Sequence, residues 1–287
     1  MDPVIELHGI HFAYGKTPVL TGLDLTVNRG EVVAMLGPNG AGKTTLVENV
    51  MGSFAPQRGK VRVFGTDPTK ASAKFWSKVG LVQQHWTDHP KWSVAHQLEW
   101  IKATYDSVNK PTKTVDQVLE DVGLTEKKNA RLGKISGGQR RRIDFACATI
   151  GRPSLLIMDE PTTGLDPKAK AEIHDLISQT VDEGTTVLMT THDLSEAEKI
   201  ASRVVILNSG KIIASGSARE LREQLVGQAE ITWSEDAENH VHSTDAVESF
   251  VATLDLTKIT NLTITRPTLE DAYLTLVADE IAQEVSQ

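Results

Sequence analysis

Residues Gly37-Pro38-Asn39-Gly40-Ala41-Gly42-Lys43-Thr44 fit G-x-x-x-x-G-K-[ST] in full, between an apolar run, Val32 to Leu36, and a helix-forming stretch from Thr44 to Met51. A strand, a glycine turn and a helix in that order commit the chain to an α/β fold whose backbone amides converge on phosphate at a helix N-terminus. Lys43 neutralises phosphate charge, Thr44 offers its hydroxyl to Mg²⁺, and Thr45 belongs to the same cradle. The pattern implies a nucleoside triphosphate, but many fold families share this loop, so the discriminating residues must lie elsewhere.

They lie about a hundred positions downstream. There the chain reads Ile135-Ser136-Gly137-Gly138-Gln139-Arg140, then Leu155-Leu156-Ile157-Met158-Asp159-Glu160-Pro161, then Gly164-Leu165-Asp166-Pro167, then Thr190-Thr191-His192-Asp193. With the phosphate loop as Walker A, these segments resemble, in order, the signature, Walker B, D-loop and H-loop of ATP-binding-cassette (ABC) ATPases, over residues 1 to about 220. The resemblance implies a P-loop α/β core with an antiparallel β subdomain and a helical subdomain, ATP and Mg²⁺ as ligands, and ATP hydrolysis.

The matched positions also make chemical sense by residue type. Four apolar residues before Asp159 read as a buried central strand, so Asp159 and Glu160 emerge at its C-terminal end, where α/β sheets place ligands. Asp159 suits Mg²⁺, which keeps much of its water shell. Glu160 takes, by resemblance, the part of the group that polarises the attacking water. His192 follows a second apolar run, Thr186 to Met189, and is placed to reach the γ-phosphate from the next strand end. Ser136, Gly137, Gly138 and Gln139 precede a helical pattern (Ile143, Phe145, Ala146, Ile150) and form a second anion-ready helix start. By resemblance they bind ATP held by a second subunit in a head-to-tail dimer, and Asp166 of the D-loop joins the nucleotide set. The basic triplet Arg140 to Arg142 reads as a solvated face. Tyr14 resembles the aromatic that stacks on adenine, with a core tyrosine as its alternative. Gln84 aligns with the glutamine that senses Mg²⁺ and nucleotide, and Gln83 is its neighbour.

Thirty basic against 38 acidic residues give a net charge of −8, which argues against nucleic acid as a partner. One cysteine, Cys147, excludes an internal disulfide and falls in an apolar helical run, where it reads as buried and inert. No apolar stretch approaches the ~20 residues of a membrane span, and Met1-Asp2-Pro3 opens no basic-then-apolar leader. The expectation is a cytoplasmic chain, peripheral on the inner face of the cell membrane through a separate integral permease.

Along the chain, residues 4 to 28 alternate apolar and polar, predicting antiparallel strands, and Lys60 to Gly65 predict another. Residues about 85 to 150 carry helical spacing, and Val204 to Leu207 with Lys211 to Ala214 flank a hairpin turn at Asn208-Ser209-Gly210. Trp86, Trp92 and Trp100 fall with His85, His89 and His96 in one segment. The histidine spacings fit no standard metal site. In ABC transporters this segment faces the groove that receives a permease helix, which clustered aromatics would anchor; packing inside the helical subdomain is the alternative. The ATPase core is expected over residues 1–216.

Residues 217–287 are expected to form a small α+β accessory domain: a helix at Ala218 to Leu225, strands at Glu230 to Trp233 and Ile259 to Arg266, a helix at Thr244 to Leu254, and a terminal helix capped by Thr268 with an apolar stripe of Leu269, Tyr273, Leu276 and Val277. The run Pro267-Thr268-Leu269-Glu270-Asp271 resembles the C-terminal segment of ATPases that serve drug, polyketide and polysaccharide exporters. The leading reading is the ATPase subunit of such an exporter; the alternatives are an importer subunit or a soluble ABC protein without a permease.

Overall fold

The computed structural model describes residues 2–85, 89–225, 229–235, 238–244, 246–266, 268–271, 273, 274 and 276. Trp86, Pro267 and Val277, singled out above, lie outside the described residues. Contacts divide the chain into two compact units, Met1–Ile213 and Ala214–Gln287.

In the first unit, β1 (Pro3–Tyr14) and β2 (Thr17–Asn28) pair antiparallel. After β3 (Val32–Leu36) and α1 (Lys43–Val50), β4 (Arg58–Val63) joins the other edge of β1, giving the order β2-β1-β4. The inward residues Ile5, Leu7, Ile10, Leu23 and Val27 are at most 1% exposed, the alternation expected of a sheet with one wet face.

The larger sheet is built from buried runs. After α2 (Ala73–Trp76) comes β5 (Val79–Val82), then the helices α3 (Val94–Asp106), α4 (Val115–Asp121) and α5 (Gly137–Thr149). There follow β6 (Leu155–Asp159), α6 (Pro167–Asp182), β7 (Thr186–Thr191), α7 (Leu194–Ile200), β8 (Arg203–Asn208) and β9 (Lys211–Gly216). Strand order is β5-β6-β7-β3-β8-β9, with β5 to β8 and β3 all paired in parallel. Every residue of β3, β6 and β7 is buried, as a parallel sheet covered on both faces requires. Because these three run the same way, their C-terminal ends share one edge of the sheet: Leu36 lies opposite Thr191, and Asp159 opposite Thr190. The β8–β9 turn has positive φ at both Ser209 and Gly210, the conformation of a tight two-residue hairpin.

The second unit contains α8 (Ala218–Leu225), β10 (Ala229–Glu235), β11 (Glu238–Thr244), α9 (Val247–Val251) and β12 (Ile259–Thr265), with sheet order β11-β10-β12. Ala229, Ile231 and Val247 form its small core, with Trp233 and Phe250 against them. Two expectations need correction here. Strand β11 does not stand out in the sequence because all its residues but the exposed Val241 are polar and none is fully buried, so no apolar period marks it. The helix expected over Thr244 to Leu254 is only Val247–Val251, since Thr244 is taken by β11. Thr268 accepts from the Asp271 amide at 3.2 Å, and Leu269 is 1% exposed, whereas Leu274 is 58% exposed.

Candidate active site

The phosphate loop leaves β3 at Gly37 and enters α1 at Lys43. Glycine is required at two points. A Cβ on Gly37 would lie 2.3 Å from the Leu207 carbonyl oxygen, and Gly42 sits at φ 105° with Leu20 and Val19 closing on the same place. Pro38, Asn39 and Gly40 are exposed, while Ala41 is buried. Lys43 is 6% exposed and folds back, its Nζ donating to the carbonyls of Gly37 (2.7 Å) and Pro38 (3.2 Å). Thr45 is buried, and Thr44 is exposed, with its Oγ1 donating to Asp159 Oδ2 at 3.2 Å.

Glu160 is the residue on which the site converges. It turns out of β6 at φ 47°, a left-handed conformation uncommon for a non-glycine residue and frequent where function fixes the backbone. Its Oε2 accepts from Gln84 Nε2 and Thr163 Oγ1, each at 3.1 Å, and lies 3.4 Å from His192 Nδ1. Its Oε1 is 3.7 Å from Lys43 Nζ. The sheet edge thus brings together Lys43, Thr44, Gln84, Asp159, Glu160 and His192. Gln84 sends its side-chain amide to Glu160, and Gln83 lines the neighbouring pocket with Thr44 and Asp159.

Tyr14 is 48% exposed, so it is not a core residue; its hydroxyl donates to Glu48 Oε2 at 2.9 Å, and its ring meets Phe12 and Phe54 edge-on. Ser136 and Asp166 are both exposed helix caps. Ser136 Oγ accepts from the Gln139 amide while Gln139 Oε1 accepts from the Ser136 amide, a reciprocal capping box at the start of α5. Gly137 and Gly138 lie in the first turn. Asp166 Oδ1 accepts from the Ala169 amide at the start of α6.

Several supporting residues went unseen in the sequence. Thr190, fully buried, donates from Oγ1 to Asp159 Oδ1 at 2.5 Å and accepts the Glu160 amide at 3.0 Å, so one hydroxyl orients both carboxylate residues. Its place opposite Asp159 in the β6–β7 register is the signal that could have found it. Behind the site, Glu196 is 1% exposed and receives Thr162 Oγ1 (2.8 Å) from the turn after β6 and Thr191 Oγ1 (2.5 Å) from the end of β7, with His174 Nε2 3.3 Å away. That carboxylate ties the turns bearing Glu160 and His192 together. Asp193 caps α7; burial pushes its carboxyl upward, but hydrogen bonds from Lys170, Ser195 and the Glu196 amide outweigh this and hold it well below the usual carboxylate range.

The basic triplet is not a solvated face. Arg140 and Arg141 are 5% and 3% exposed, because α5 packs against β5 and the neighbouring helices. Their burial lowers both guanidinium pKa values, with Asp144 pulling the other way. Arg142 Nη1 donates to the Val122 carbonyl at 3.0 Å. Cys147 is only partly covered by area, yet burial around its thiol, aided by Asp144, pushes it up to about 12, so it is protonated at neutral pH. Near the glutamine turn, Trp92 stacks between His96 (4.4 Å between centroids) and His89 (5.7 Å), and Trp100 is 52% exposed. His89, Trp92 and Trp100 line an open groove with Leu81 and Ile101.

The hydroxyl of Thr190 gives one testable expectation at this level. Val in its place keeps the shape but removes the donor to Asp159 Oδ1 in a buried setting, a loss of ~1–3 kcal/mol for that group, while the Glu160 amide keeps only the Thr190 backbone carbonyl at 3.1 Å. Thr190→Val is expected to lower kcat for ATP about tenfold while remaining folded. Steady-state kinetics with a Mg²⁺ titration check it, and an unchanged kcat would show that the hydroxyl orients nothing the chemistry needs.

A family model described as ABC transporter matches residues 20–163. The chain is 37% identical over 227 residues to a daunorubicin resistance ATP-binding protein of Streptomyces coeruleorubidus, covering 79% of this chain and 72% of that protein. It is also 37% identical over 226 residues to Nod factor export ATP-binding protein I of Rhizobium etli (78% and 71% covered), and 35% identical over 225 residues to a linearmycin resistance ATP-binding protein of Bacillus subtilis (78% and 72%). Among solved structures, the ATP-binding subunit of an ABC transporter superposes with a TM-score of 0.68 at 25% identity, over 77% of this chain and 92% of that one. An ATP-binding cassette in its ADP conformation matches with a TM-score of 0.67 at 23% identity, over 77% and 93%.

Proposed function

This chain belongs to the ABC transporter family of ATP-binding proteins, and on that premise we propose that it hydrolyses ATP to power a separate membrane permease that exports drugs or other hydrophobic or complex small molecules. The convergence of Lys43, Gln84, Thr163 and His192 on the Glu160 carboxylate carries this reading. Glu160 is held by donors in an orientation that leaves it ready to accept a proton from water. Lys43 now rests on two carbonyls and near Glu160, and an arriving phosphate draws it off with a full negative charge in place of carbonyl dipoles. The amides of Gly37 to Thr44 and the start of α1 take the phosphates, Tyr14 offers its half-exposed ring to the adenine, and His192 reaches toward the γ-phosphate.

The donor set also fits Mg²⁺. Thr44 and Asp159 already bring a hydroxyl and a carboxylate together at 3.2 Å, hard oxygens of the kind that ion takes alongside water. Thr44 and Asp159 would hold the ion, which would offset the charge of the phosphates. Gln84, bonded to Glu160, lines one pocket with this pair.

The exposed cap of α5, Ser136 to Gln139, with the D-loop Asp166, is the surface offered to the nucleotide of a second ATPase subunit in a head-to-tail dimer. Among the described residues no helix is long and apolar enough to cross a membrane, and the groove holding Trp92 and Trp100 is where we place the permease contact that keeps the subunit at the inner face of the membrane. The net charge of −8 gives nucleic acid no electrostatic attraction. The names of the drug-resistance and Nod factor export relatives favour export as the direction.

The purified chain is expected to release phosphate from ATP only with Mg²⁺ present, to lose that activity in EDTA or as Lys43→Ala, and to be stimulated when reconstituted with its permease in vesicles. ATP turnover that survives EDTA, or vesicles in which the permease neither stimulates turnover nor moves substrate outward, would contradict the reading.

A further inference from the structure

The geometry points to Arg141 as a positioning residue that joins the turn bearing Gln84 to the helix α5, whose first residues face the second subunit. Arg141 lies five residues beyond the Ser136 cap, on α5, and is 3% exposed. Its guanidinium leaves the helix and grips the backbone of the turn after β5: Nη1 donates to the Gln83 carbonyl at 2.7 Å and Nη2 to the Gln84 carbonyl at 3.0 Å. Two donors in a planar fork meeting two consecutive carbonyls fix both position and orientation, more rigidly than the rotatable donors of a lysine ammonium. Asp144, one turn along the same helix, places Oδ2 3.7 Å from Nη1 and balances the buried charge.

The contacts then run without a gap from the chemistry to the dimer-facing surface. Glu160 Oε2 receives the Gln84 amide, the Gln84 backbone receives Arg141, and Arg141 is carried by the helix that Ser136 caps. When nucleotide repositions Gln84 and Glu160, α5 must follow or two charge-assisted hydrogen bonds must break. Occupancy of one site thereby sets where Ser136 to Gln139 present themselves to the other. A buried arginine used only for packing would be satisfied by acceptors on its own helical subdomain; these acceptors belong to the loop that carries Gln84. The inference rests on the two-subunit reading above.

The test uses the full chain. Arg141→Met keeps the buried stem and removes both donors. Its kcat is expected to fall about tenfold with KM for ATP and nucleotide affinity within about twofold of wild type, a split that a general loss of fold does not produce. Gln84→Ala, Arg141→Met and the double variant should show nearly equal kcat, since residues acting in one chain of contacts are not additive. In a Glu160→Gln background, ATP-driven dimerisation followed by light scattering should weaken on adding Arg141→Met. Should the Met variant not fold, Arg141→Lys, which keeps the charge but loses the planar two-donor fork, is expected to lower kcat about threefold at unchanged KM. Wild-type kcat in the variant that folds, fully additive losses with Gln84→Ala, or loss of kcat together with loss of ATP binding overturns the coupling. If Glu160→Gln alone forms no ATP-bound dimer, the two-subunit reading fails; if it dimerises equally with and without Arg141→Met, that reading stands and the coupling fails.

Discussion

Glu160→Gln is expected to lower ATP turnover by about a hundredfold or more while preserving nucleotide binding, the size of effect that follows loss of a positioned general base. The carboxylate's Oε2 accepts from Gln84 and Thr163, and a glutamine can satisfy both with its amide oxygen. Its amide nitrogen then faces Lys43, where the carboxylate had an oxygen at 3.7 Å. Shape and the Gln84 and Thr163 contacts survive and the Lys43 ion pair is lost, but above all the group no longer takes a proton from water. Removing one negative charge beside the phosphates also favours the ATP-bound form, so the variant is expected to accumulate an ATP-bound dimer. Phosphate release and light scattering with and without ATP measure both effects. Turnover near wild type would remove Glu160 from the chemistry.

The second large effect is expected from Ser136→Arg. Two consequences can be separated. The first is local: Ser136 Oγ accepts the Gln139 amide, and losing that cap costs about 1 kcal/mol of stability. For a chain of this size that is a fall of roughly 2–4 °C in melting temperature. The second is functional: an arginine side chain fills the exposed turn offered to the partner's nucleotide, and hydrolysis is expected to drop more than about tenfold, ~1.4 kcal/mol in the barrier. Nucleotide affinity of the monomer should stay within about twofold, because Ser136 is not among the residues around Lys43 and Glu160. Wild-type specific activity should rise with protein concentration, and the variant's should not. Ser136→Thr, which keeps a capping hydroxyl, separates the loss of stability from the loss of partner contact. A demonstrated monomer with concentration-independent activity would argue against the two-subunit site.

The residues proposed to carry the chemistry were legible in the sequence because they sit where local structure changes. Gly37 to Thr44, Asp159-Glu160 and His192 each end an apolar run, and a run of four or five apolar residues read as a buried parallel strand puts whatever follows it at the ligand-binding edge. The caps were legible for the same local reason: Ser136 with Gln139, and Asp166 with Pro167, carry their hydrogen-bonding pattern in the spacing itself. Strand β11 was not, since a single apolar residue, Val241, leaves no periodic signal, and only pairing along β10 makes it a strand.

What the sequence alone determined is therefore the phosphate loop, the two carboxylates, the histidine and the helix starts, all of them consequences of contacts within a few residues. The tertiary structure decided the rest. That Thr190 serves Asp159 and Glu160, that Glu196 gathers Thr162, His174 and Thr191, and that Arg141 is a buried clamp rather than a solvated charge depend on partners 31, 34 and 58 positions away in the chain. Arg141 shows the physical reason most directly. A guanidinium is drawn from water only where the fold supplies carbonyl oxygens at matching spacing, and no local pattern around Arg140 to Arg142 records where Gln83 and Gln84 will lie.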